Sequence, residues 1–77
     1  MMALTEQALK ARRLPPPHLA RAIRVEAGPT QRQVADALGV NRVTVARWES
    51  GQRRPRGEMR ARYAELLDEL QREVLSR

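Results

Sequence analysis

Residues 30 to 55 read TQRQVADALGVNRVTVARWESGQRRP, and the fold turns on how this stretch divides. Thr30 and Gln33 stand in the order of a capping box, where a hydroxyl and a side-chain amide satisfy backbone N–H groups left free at a helix start. The spacing predicts one helix over 31–38, stopped by Gly39, and a second over 42–50, stopped by Gly51, with Asn41 as its N-cap. On the first helix Val34, Ala35 and Leu38 share a face; on the second Val45 and Trp48 stand three residues apart. Those apolar faces must meet. Ala35 is small enough for a close crossing, Gly39 can take the left-handed conformation that the turn needs, and Val40 can plug the corner.

The opposite face of the second helix is left over. It carries Arg42, Val43, Ala46 and Arg47, with Thr44 at the edge. A helix lying in a DNA major groove has a use for such a face, because arginine reads guanine and a valine methyl meets the methyl of thymine. Two short helices and a turn also occur in all-α domains that never touch DNA, where outward arginines are simply solvated.

Working outward, glycine and proline divide the rest of the chain into helical units and no strands. Helices are expected over 17–27, with Pro17 in the first turn, and over 57–75, with a weaker one at about 5–13. The triple proline 15–17 separates an N-terminal extension, 1–14, from a helix-turn-helix domain over 15–77 whose motif spans 30–51.

The chain has 77 residues and a formal charge of +6, unevenly placed. Residues 1–57 hold eleven Lys/Arg against Glu6, Glu26, Asp36 and Glu49, whereas 58–77 hold four arginines against five acids. Basicity confined to one part of the chain suits a polyanion, and nucleic acid better than a membrane, since no segment pairs the cations with a broad apolar face. Cysteine is absent and His18 stands alone, so disulfides and thiolate or clustered-histidine metal sites have nothing to build on. No catalytic constellation is present. No cofactor, metal or small-molecule ligand is expected. No apolar run approaches the ~20 residues of a membrane span and no signal-peptide core is visible, so the expected location is the cytoplasm.

The 26 residues quoted above closely resemble the helix-turn-helix of the Cro and phage-repressor family, also known as the xenobiotic-response-element type. The resemblance rests on Thr30, Gln31, Val34, Ala35, Gly39, Asn41, Val45, Trp48, Glu49, Gly51 and Pro55, and extends upstream through IRVEAG. It implies a lambda-repressor-like, all-α domain of about four to five helices that binds duplex DNA. Carried over by position, it implies base contacts from Arg42, Val43 and Arg47 and backbone contacts from Gln31, Thr44, Arg53, Arg54 and Arg56. It also implies a structural pair between Arg24 and Glu49. Glu49 needs such a cation, because a helix C-terminus and passing phosphates both disfavour a carboxylate.

Downstream of Pro55 the chain departs from the family, in which many members have a further break. RGEMRARYAELLDELQREVLSR has none after Gly57 and reads as one helix of nineteen residues, roughly 28 Å long. Met59, Tyr63, Leu66 and Leu67 are expected on the core, with Glu58/Arg62, Asp68/Arg72 and Glu73/Arg77 as i, i+4 pairs. Leu70, Val74 and Leu75 are expected to need another partner: the N-terminal segment through Leu4, Ala8, Leu9 and Leu14, a second copy, or a different protein. The sequence therefore supports a small Cro-type repressor, monomeric in free solution, or alternatively an antitoxin-type module whose C-terminal helix docks on a partner protein.

Overall fold

The computed structural model describes residues 13–77. The expected helix over 5–13 and the proposed packing of Leu4, Ala8 and Leu9 lie outside these residues. Four helices and no strand occur among the described residues: α1 (Pro17–Ala27), α2 (Gln31–Leu38), α3 (Arg42–Ser50) and α4 (Gly57–Leu75).

Local chemistry sets each boundary. Pro17 opens α1, where its fixed φ suits a helix and its missing N–H costs nothing. At α2 the capping box is complete: the Gln33 N–H donates to Thr30 Oγ1 at 3.0 Å and the Thr30 N–H donates to Gln33 Oε1 at 2.9 Å. Gly39 ends α2 at φ 73, its N–H donating to the Asp36 carbonyl while the Val40 N–H reaches back to that of Ala35. This is the Schellman pattern, and it points Val40 into the corner between the helices.

Asn41 corrects one expectation. It occupies the N-cap position of α3, but its side chain makes no capping hydrogen bond. Only its backbone carbonyl serves the helix, accepting from the N–H groups of Thr44 at 3.0 Å and Val45 at 3.4 Å.

The core is formed by Ala20 of α1, Val34, Ala35 and Leu38 of α2, Val45 and Trp48 of α3, and Tyr63 and Leu67 of α4. Leu14, Ile23, Met59 and Leu66 pack around it. Val45 is completely buried, as the facing of α2 and α3 requires. Trp48 and Tyr63 meet with ring centroids 4.7 Å apart and planes tilted by 40°, which ties α3 to α4.

The distal half of α4 corrects a second expectation. Leu70 needs no external partner, because α4 packs against α1 and α2 and buries Leu70 inside the chain. Val74 is half-buried beside Ala22, Ile23 and Glu26 of α1, and Leu75 alone is left widely exposed at 79%. Arg77 holds the ends together, its Nη2 donating to the Ala27 carbonyl at 2.8 Å. Such a contact satisfies an orphan carbonyl at the α1 C-terminus and places a cation at the negative end of the helix. Of the three i, i+4 pairs, Asp68–Arg72 closes at 3.0 Å and Glu73–Arg77 at 3.9 Å. The third does not form; Arg62 turns instead to the Leu38 carbonyl at 3.4 Å.

Candidate nucleic-acid interface

With Val45 and Trp48 pinned in the core, the rest of α3 has no freedom to choose what it exposes. Arg42, Val43 and Arg47 face solvent, Val43 at 46% exposure, and Thr44 and Ala46 are half-buried at the rim. One exposed face thus carries two guanidinium groups and a branched methyl side chain.

A connected polar chain runs from Glu49 in the last turn of α3 to Arg42 in its first. Arg24 of α1 grips Glu49 with two hydrogen bonds, Nε to Oε2 at 2.6 Å and Nη2 to Oε1 at 3.0 Å, and its Nη1 donates to the Pro29 carbonyl at 3.0 Å. The side chains are 11% and 3% exposed, so this ion pair is largely removed from water. The hydrogen bond to Glu49, aided by its charge and opposed by burial, holds the Arg24 pKa above its ordinary value. The chain continues outward. Gln31 Nε2 donates to Glu49 Oε1 at 3.0 Å, and Gln31 Oε1 accepts from Arg42 Nη1 at 3.1 Å. The carboxylate can only accept and the guanidinium can only donate, so the orientation of the Gln31 amide is fixed from both sides.

Tyr63 closes the inner end of this region. It is 2% exposed and its hydroxyl finds no hydrogen-bond partner among the described residues. Burial, with a smaller contribution from the negative charge of Glu49, pushes the phenol up to about 12.

Past the C-terminal end of α3 the chain turns at Gly51, and the Arg53 N–H returns to the Arg47 carbonyl at 3.3 Å. Arg53, Arg54 and Arg56 are exposed around the buried Pro55. Together with Arg47 they line one open depression whose apolar side is Val40, Trp48 and Met59. Basic groups therefore stand at both ends of α3. Among the described residues no group of three His, Cys, Asp or Glu could hold a metal ion. No helix among them is long and apolar enough to cross a membrane.

A family model described as helix-turn-helix matches residues 21–74, from the second turn of α1 almost to the end of α4. The chain belongs to the helix-turn-helix family of Cro and phage-repressor type. As a helix-turn-helix protein it is a DNA-binding regulator of transcription. Neither a search of curated proteins nor one of solved structures returns a match.

Two features of this helix-turn-helix surface escape sequence reasoning. The link from Gln31 to Arg42 depends on side-chain rotamers on two helices, which spacing does not encode. Arg21 and Arg32 stand beside Thr30, Gln31 and Arg42 at the start of α2, so α1 also contributes to the basic surface. A signal for Arg21 was present: it lies three residues before Arg24, and neighbours at that spacing share a helix face.

Proposed function

We propose that this chain is a small Cro-type repressor that reads one major-groove half-site with α3. The observation that carries the reading is the outward face of α3, where Arg42, Val43 and Arg47 are exposed together while Val45 and Trp48 fix the helix in place. In this reading Arg42 and Arg47 donate to guanine O6 and N7, and Val43 packs on a thymine methyl. Thr44, Arg53, Arg54 and Arg56 bind the sugar-phosphate backbone and set the register. Gln31 reaches a phosphate with its second amide hydrogen, the first being held by Glu49.

The alternative, an antitoxin-type module with α4 as the docking helix, has less to support it. Leu70 is buried within the chain, so the stripe offered to a partner protein shrinks to Val74 and Leu75.

Selection of bound duplexes from a random pool by the full chain tests the proposal. A recovered motif containing guanines and a thymine within one half-site is expected. Failure to enrich any motif above the starting pool would reject sequence-specific repression.

A further inference from the structure

One flank of the α1–α4 pair is apolar and open. Ala22, Ile23 and Glu26 of α1 and Gln71, Val74 and Leu75 of α4 line a groove between the two helices, with no contribution from α2 or α3. Leu19 continues the α1 side of it, one turn before Ile23 on the same face. Leu19 and Leu75 are both exposed, so the groove has an apolar lip on each helix. Contiguous apolar surface of this kind marks a place where something docks.

The chain arrives at one end of this groove. Leu14 packs on the core and lies with Pro17, Ala20, Arg60 and Tyr63 at the start of α1. From there α1 and α4 run side by side in the same direction, since Ala20 lies with Tyr63 near their starts and Arg77 reaches the Ala27 carbonyl at their ends. The groove therefore leads away from Leu14 along the whole of α1.

We infer that residues 4–13 turn back at Leu14 and dock in this groove as a helix antiparallel to α1. The occupant is suited to the place in four ways. Leu4, Ala8 and Ala11 recur at i, i+4 and i+7, with Leu9 on the flank, which gives the segment one apolar face. Leu14 precedes Pro15, a position that disfavours helix, so residues 14–16 are left as the connector, within the range of about 2 to 8 residues usual between packed helices. A helix over 5–13 and the stretch of α1 from His18 to Glu26 each have nine residues, about 13 Å, so the returning segment brings Leu4 level with Gln71 and Leu75. Charge agrees as well: residues 4–13 hold Lys10, Arg12 and Arg13 against Glu6, and they return along α4, the acid-rich part of the chain. Docked in this way the segment covers Leu19 and Leu75, closes the seam to a second copy and leaves α3 open. The inference does not depend on how α3 meets DNA.

The absence of cysteine makes a direct test possible in the full chain. Two pairs place thiols on the faces that should meet, Leu4→Cys/Gln71→Cys and Leu4→Cys/Leu75→Cys. A third, Glu6→Cys/Gln71→Cys, has nearly the same tether but puts one thiol on the opposite face of the segment. Gln71 and Leu75 are exposed, so the α4 substitutions leave the core intact. Each variant is oxidised with glutathione disulfide at low micromolar concentration, and the products are followed by non-reducing electrophoresis and mass. Tether length alone gives all three similar effective concentrations, so docking is expected to make at least one of the first two pairs close within the chain about tenfold or more faster than the third. Unfolding in urea should abolish that difference. Equal rates for all three pairs in the folded protein would overturn the docking. Faster bonds between chains than within them would also overturn it, and would give the groove to a second copy.

Discussion

Glu49 sits in the last turn of α3, where the peptide dipoles and any approaching phosphate both disfavour a carboxylate, and it is nevertheless 3% exposed at its side chain. Arg24 and Gln31 make that placement possible. Removing Glu49 leaves the Arg24 guanidinium buried without its counter-ion, so Glu49→Ala is expected to cost about 3 to 5 kcal/mol, against about 0 to 1 for an exposed pair. Urea unfolding measures this directly, and a loss below about 1 kcal/mol would reject a buried pair. Tyr63 gives the opposite sign. Its hydroxyl is buried without a partner, so Tyr63→Phe removes a desolvated polar atom at nearly constant volume. At neutral pH the variant should match or exceed wild type by up to about 1 kcal/mol. Above about pH 10 the two should separate further. The folded phenol is raised to about 12 from the ordinary value near 10, so its contribution is whole below about pH 10 and is lost as pH rises through about 12. Wild type should weaken over that window, and Tyr63→Phe should lack that component of the loss; parallel alkaline limbs in urea melts would contradict the assignment. At this scale the need of Glu49 for a cation was legible in the sequence, because a helix end states its own electrostatics. The orphaned tyrosine hydroxyl was not, since it depends on how three helices close around one atom.

At the scale of elements, the helix boundaries were legible because breakers and caps mark them: Pro17, the Thr30/Gln33 box, Gly39 and Gly51 act within a turn of themselves. Asn41 misled because a residue suited to capping by its side chain caps here through its carbonyl alone. Gly39 provides a clean measure of what a turn residue is worth. A Cβ there would meet nothing within 4 Å, so Gly39→Ala adds no clash and only the cost of φ 73. That cost is about 1 to 2 kcal/mol. Gly39→Asn should recover part of it, because asparagine visits the left-handed region more readily; equal stability of all three in thermal unfolding would show that α2 can end otherwise. Within α3 and its loop, function separates by position. Arg42→Ala or Arg47→Ala should cost about 1 to 3 kcal/mol and relax selection at one base pair. Arg53→Ala and Arg54→Ala should weaken all sequences alike and lower the salt slope by about 1 each. Binding series on one operator and its single-base variants distinguish the two, and an Arg42→Ala loss uniform across variants would make Arg42 a phosphate ligand.

Across the whole molecule, the charge division in the sequence becomes a division of the surface. Arginines of residues 21–56 gather around α3, while those at the far end of α4 are tied to Asp68, Glu73 and the end of α1. The partner of α4 was not legible in the same way. A helix of nineteen residues looks too long for a small core when its length alone is considered, and only the end of α1 and the side of α2 beside it show how Leu70 is covered. This bears on assembly. Among the described residues the large apolar side chains still exposed are Leu19, Val25, Val43 and Leu75, and Val43 belongs to the proposed reading face. A stable interface between copies buries about 1,200 to 2,000 Å² in total, and so few side chains fall short of its apolar centre. The free protein should therefore be a monomer at about tens of micromolar. Two copies should come together on DNA, where half-sites about 34 Å apart hold them on one face of the duplex. Sedimentation without DNA is the direct measurement. A well-populated dimer would assign the seam of Ala22, Ile23, Val74 and Leu75 as a self-interface, and Leu75→Glu should then return the chain to a monomer.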